Sequence, residues 1–166
     1  MSPHPELYDQ DFYQWTQEQA ALLREGAWQD LDVINLAEEI ESLGKSDRRA
    51  LGSHLRNLAL HLLKWHAQPA GRHPGPSWRQ SIRNARAEIA VLVEDSPSLR
   101  REVPGLLVRW YPLARLDAAD ETGLPLTLFP EACPWTPAQV LDADFWPEGE
   151  GRWRALPAPR PRGPQG

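Results

Sequence analysis

The strongest constraint on the fold is a run of apolar residues at bundle spacing. Leu51, Leu55, Leu58, Leu62 and Trp65 succeed one another at intervals of four, three, four and three. This repeat keeps every member on one face of a helix packed along its length, and strands, whose faces alternate every second residue, cannot use it. Trp78, Ile82, Ala85, Ile89 and Leu92 repeat the pattern, and Val33, Leu36, Ile40 and Leu43 carry a shorter version. No comparable period-two stretch occurs. The spacing predicts an all-α fold: a bundle of four main helices, a proline-broken fifth and an extended C-terminal strap.

Punctuation residues set the expected boundaries. Phe12, Trp15 and Leu22 lie on one face of a first helix that Gly26 should end, since glycine accepts the left-handed C-terminal conformation cheaply. By the same logic a second helix, from about Asp30, should stop at Gly44 and a third should run from about Ser46 to His66. Pro69 to Pro76 reads as a loop. A fourth helix begins after Ser77. Ser96-Pro97-Ser98 opens a fifth that ends near Gly123, and Pro104 and Pro112 within it predict a break or kink, because each removes a backbone donor. Thr136-Pro137 has the cap and first-position chemistry of one more short helix. Residues 1–147 are expected to form a single helical-bundle domain. Residues 148–166, dominated by Pro, Gly and Arg, are expected to be a disordered tail.

Charge is distributed in blocks. Residues 1–44 carry ten acidic side chains against Arg24 alone, a balance of −9. Residues 45–87 carry nine basic side chains against Asp47, or +8, and residues 88–166 carry eight against twelve, or −4, which together give the net charge of −5. A basic block raises nucleic-acid binding as a possibility, with Arg79 and Arg83 as its surface. The simpler reading is that acidic and basic helices lie side by side, and it is favoured. All of the 18 basic residues except Lys45 and Lys64 are arginine, a bias that lowers the weight of any single arginine. The N-terminus has neither a basic nor an apolar leader region and no apolar run spans a bilayer, so a soluble, cytoplasmic protein without membrane partners is expected.

Several motifs together bring a family into view. Leu7-Tyr8-Asp9-Gln10-Asp11-Phe12-Tyr13-Gln14-Trp15, Asn35-Leu36-Ala37-Glu38-Glu39-Ile40-Glu41-Ser42-Leu43-Gly44, His61-Leu62-Leu63-Lys64-Trp65 and Ser77-Trp78-Arg79 with Ile82 and Arg86 occur in order. Asp95-Ser96-Pro97-Ser98-Leu99-Arg100, Glu121-Thr122-Gly123-Leu124-Pro125 and Phe129-Pro130-Glu131-Ala132-Cys133-Pro134 come after them. Over roughly residues 7–147 this resembles the bacterial family called domain of unknown function 29. The resemblance implies an all-helical fold and supplies no activity. Pro104 and Pro112 depart from the family's pattern, which implies a long unbroken helix there.

Chemistry-bearing residues are sparse. His54 and His61, seven apart, are separated by roughly 10.5 Å along a helix axis, too far to hold one metal ion together. No Glu-x-x-His pair, phosphate-binding glycine loop, nucleophile elbow or zinc-protease motif is present. The lone Cys133 lacks a neighbouring base, so a small buried residue beneath the strap is the favoured role. Glu38 and Glu41 read as a solvated acidic face, or as partners of Arg79, Arg83 and Arg86 in an ion network between helices. No catalytic residue, metal or cofactor is assigned. The favoured function is a non-catalytic module that binds another protein. The alternative is an enzyme or small-ligand or metal binder with a pocket between the second, third and fourth helices. Glu38, Glu41, His61, Trp65, Arg86 and Tyr111 would line it. Binding of nucleic acid through residues 45–87 ranks third.

Overall fold

The structure, a computed structural model, describes residues 5–67 and 76–147. The expected tail at 148–166 and most of the expected loop at 69–76 lie outside the described residues. Within them the fold is all-helical: α1 (Pro5–Gln10), α2 (Phe12–Glu25), α3 (Val33–Ala67), α4 (Pro76–Asp95), α5 (Val103–Thr122) and α6 (Pro137–Leu141), with 3-10 turns at Trp28–Asp30, Pro97–Glu102 and Leu126–Leu128. The chain divides into two compact units, one ending at Asp47 and the other starting at Arg48.

The first difference from the sequence reading is at Gly44. The second and third expected helices are one 35-residue helix, α3. Glycine ends a helix by turning left-handed, and among the described residues only Gly26 (φ 71°) and Gly123 (φ 70°) do so. Gly44 stays helical at a cost of about 1 kcal/mol relative to alanine. The next residues, Lys45 to Ala50, contain no proline and no turn former strong enough to stop propagation.

The N-terminal unit is organised around Asp32. Its carboxylate accepts from the Trp15 indole (3.1 Å), from the Asn35 side chain (2.7 Å) and, at 3.4 Å, from the Asn35 backbone, which caps α3. The Asp32 backbone donates to Gln19 Oε1 at 2.8 Å. Trp15, Gln19, Leu31 and Asp32 are the buried residues here. Tyr8 and Phe12 pack their rings on Trp15, with centroids 4.9 and 5.6 Å away.

The second unit holds the main core. Leu51, Leu55, Leu58 and Leu62 of α3 are fully buried against Ile82 and Ile89 of α4 and against Val103, Leu106 and Ala114 of α5. Each such leucine contributes on the order of 1.5–3 kcal/mol by leaving water. Arg48–Glu102, Arg56–Asp117 and Lys64–Glu121 pair in the same order along both segments. This part of α3 and α5 therefore run parallel, and α4 runs back in the opposite direction, from beside Lys64 to the turn before α5. They approach closely at Gly52, where an added Cβ would collide with the Trp110 indole nitrogen.

Pro104 and Pro112 act differently from the expectation. Pro104 sits in the first turn of α5, where the missing donor would be unpaired in any case. Pro112 lies inside α5 without ending it. The carbonyl it leaves free belongs to Val108, which is exposed and can be met by water. The break falls earlier, at the 3-10 turn preceding Val103. Gly123 closes α5 as expected, and Thr136 caps α6 with a full capping box through Gln139.

The Gly52–Trp110 contact yields a direct test. Gly52→Ala should destabilise the protein by about 1–3 kcal/mol in urea unfolding, because the added methyl group would overlap the Trp110 ring and force it to shift. Made in a Trp110→Leu background, the same change should cost markedly less, and equal costs in both backgrounds would contradict the packing account.

Candidate functional site

The segment after α5 has almost no regular structure, so its carbonyls need partners from side chains. Three residues on the helices supply them. Arg86 of α4 donates through Nε to Val140 O (2.9 Å) and through Nη2 to Phe145 O (2.8 Å). Arg115 of α5 donates to Phe129 O (2.9 Å) and Leu126 O (3.1 Å), and the Tyr111 hydroxyl donates to Pro130 O (2.8 Å). Phe129 and Val140 fill the core beneath these bonds.

An aromatic–guanidinium cluster adjoins the clamp. Trp65 and Trp146 pack at 4.8 Å, the Arg79 guanidinium lies 5.6 and 5.5 Å from their centroids, and Arg86 lies 5.6 Å from Trp146. Stacking a cation on an indole face is favourable, and more so when water is excluded. Burial pushes the Arg86 pKa down, and nearby Asp142 acts in the opposite sense. The Arg86 Nη1 is buried without a hydrogen-bond partner among the described residues.

The structure scatters the residues singled out in the sequence. Trp65 and Arg86 meet at Trp146. Tyr111 is buried by the strap, and its phenol pKa is raised by that burial and by Cys133, with Arg115 acting oppositely. His61 points its Nδ1 at the Asn57 carbonyl (2.8 Å) of its own helix, and burial lowers its pKa, assisted by Lys64. Glu38 and Glu41 belong to the N-terminal unit and are exposed. Glu41 pairs loosely with Lys45 at 3.6 Å. Arg83 is exposed on α4. Of the arginines expected to face Glu38 and Glu41, Arg86 spends two donors on backbone carbonyls and Arg79 stacks on indoles.

Three members of the basic block at 45–87 find acids in the third block. Arg56 makes a two-pronged pair with Asp117 (2.7 and 2.9 Å), Arg48 meets Glu102 at 2.9 Å, and the nearly buried Lys64 meets Glu121 at 2.5 Å while lying 4.6 Å from the Trp78 centroid. Cys133 is half-buried, its thiol donating weakly to Trp135 O (3.4 Å), and burial raises its pKa. Among the described residues no three His, Cys, Asp or Glu side chains are grouped to hold a metal ion, and no helix is long and apolar enough to cross a membrane.

The feature that spacing misjudged is the Val33–Leu43 stripe. It has the apolar repeat of a core helix, yet Val33, Ile40 and Leu43 are 62%, 66% and 69% exposed and Ile34 beside them is 76% exposed, while Leu36 of the same repeat is half-buried. Further round the helix, Tyr8 donates to Glu39 at 2.5 Å, which raises the Tyr8 pKa to about 12.

A family model described as Domain of unknown function DUF29 matches residues 7–146. The chain belongs to the DUF29 family. No curated protein and no solved structure matches it. The DUF29 match covers both the exposed stripe and the clamped strap.

The clamp and His61 each generate a test. Arg86→Met should cost about 2–4 kcal/mol, since two carbonyls lose their donors, and should shift tryptophan emission to the red as Trp146 leaves its neighbours. For His61 the folded pKa lies below the ordinary value of 6.5, so the unfolded chain takes up the proton first. The stability this contributes is present in full above 6.5 and is lost as pH falls from there through the folded pKa. An NMR titration should place the His61 ring below 6.5, and His61→Asn should flatten the acid limb of the stability curve.

Proposed function

We propose that this DUF29 chain is a non-catalytic protein–protein interaction module that works through the N-terminal half of α3. One observation carries the reading: an apolar stripe with the spacing of a packed helix stands in solvent at Val33, Ile40 and Leu43. A stripe of this kind is costly to leave uncovered and marks interaction surfaces in folded proteins. The titratable groups elsewhere support it from the other side. Arg86, Arg115, Tyr111 and Lys64 are committed to holding helices and strap together, which leaves little free to act on a substrate.

A second reading, small-anion binding, has one specific support: the exposed Arg79 stacked on Trp65 and Trp146 has no carboxylate partner among the described residues. Quenching of tryptophan emission by an added anion, abolished in Arg79→Gln, would favour it over the first.

The interaction reading is tested by placing a photo-crosslinking residue at Ile40 or Leu43 in living cells, with exposed Val91 of α4 as control. A discrete adduct from positions 40 and 43, absent from 91, is expected. Uniform labelling at all three positions, or none, overturns the reading. Leu43→Asp at the exposed site should change stability by no more than about 0.5 kcal/mol.

A further inference from the structure

We infer that the occupant of the α3 stripe is a basic amphipathic helix of a partner protein. The inference rests on the interaction reading above and adds the chemistry of the partner. With about 100° per residue, Val33, Leu36, Ala37, Ile40, Leu43 and Gly44 share one arc of roughly 120°, in which Leu36 is half-buried and the others are exposed. The stripe therefore runs along the helix for about three turns, the footprint of a second helix crossing at a shallow angle. Gly44 lies within that arc, and nothing stands within 4 Å of where its Cβ would be. The chain thus keeps a helix-weakening residue that packs against nothing of its own. Opposite a partner helix it provides a notch, since small residues let two backbones approach closely.

Charge decides what kind of helix fits. The stripe is bounded by exposed Glu41 on its flank, paired at 3.6 Å with Lys45, and by exposed Asp47 one turn beyond Leu43, ahead of Arg48, which pairs with Glu102, and the exposed Arg49. Residues 1–44, which make up nearly all of this unit, carry −9. Two copies meeting through this face would bring two such surfaces together, and an anionic membrane would be repelled by them. A helix with apolar residues at three- and four-residue intervals and lysine or arginine along its borders meets both demands, apolar contact and neutralisation.

The test uses the full chain and two synthetic 18-residue helical peptides with the same leucine stripe, one bordered by lysine and one by glutamate. Calorimetry should show micromolar binding of the lysine peptide, at least tenfold weaker binding of the glutamate peptide, and a several-fold loss between 50 and 300 mM NaCl. Glu41→Gln with Asp47→Asn should weaken the lysine peptide several-fold. Gly44→Leu should weaken it as well while raising helix stability, which separates docking from folding. Equal binding of both peptides, or binding of neither, overturns the inference. A dimer in sedimentation equilibrium that Leu43→Asp dissociates also overturns it, naming a second copy instead and leaving the interaction reading intact. Absence of peptide binding and of dimer, together with absence of crosslinks at positions 40 and 43, removes both.

Discussion

The structure depends on finding donors for the backbone carbonyls of its C-terminal segment. Between Leu126 and Phe145 the chain crosses the second unit with only a 3-10 turn and the short α6, so most of its carbonyls have no helical partner. Arginine suits this task because its planar fork reaches two acceptors at once and never loses its charge. Arg86 spans Val140 and Phe145, and Arg115 spans Leu126 and Phe129. Phe129 and Val140 are thereby held in a core that α3, α4 and α5 would otherwise leave open.

The long helix α3 shows how much of a fold periodicity can carry. The spacing at Val33–Leu43 and at Leu51–Trp65 is nearly identical, and both stretches are helical. One stripe is sealed in a core and the other stands in solvent, because periodicity reports which face is apolar and says nothing about whether a partner lies in the same chain. Gly44 misleads for a related reason. Its capping role depends on a left-handed backbone, which its C-terminal neighbours decide, and Lys45 to Ala50 favour continued helix. Gly123 precedes Leu124-Pro125, which cannot continue a helix, and it terminates; Gly26 also turns left-handed, although Ala27-Trp28-Gln29 after it could have continued one.

Other features were legible only in part. Thr136-Pro137, Gly123 and the absence of strands could be read directly, since each reflects local backbone chemistry. The Asp32 network could not. An aspartate before a helix announces a cap, but the indole of Trp15 and the amide of Gln19 reach it from another helix. Gly52 reads as an ordinary helix glycine in sequence, and only the fold sets Trp110 against it. Among the candidate residues, Trp65 and Arg86 share Trp146, an aromatic that neither helix periodicity nor motif spacing connects to them. His61 and Tyr111 are tied to carbonyls, the first on its own helix and the second on the strap.

The three charge blocks acquire meaning from how they pair. Arg48, Arg56 and Lys64 take their acids from Glu102, Asp117 and Glu121 within the second unit, and Lys45 meets Glu41 within the first. Within the first block, Glu39 is held by a neutral phenol and Glu41 by one exposed lysine, a pairing of little net strength. Beside the stripe, Glu41 thus presents its charge next to Lys45, while Asp47 is exposed at the end of the stripe. An apolar surface alone would accept many partners, and rejection of the wrong ones has to come from charge.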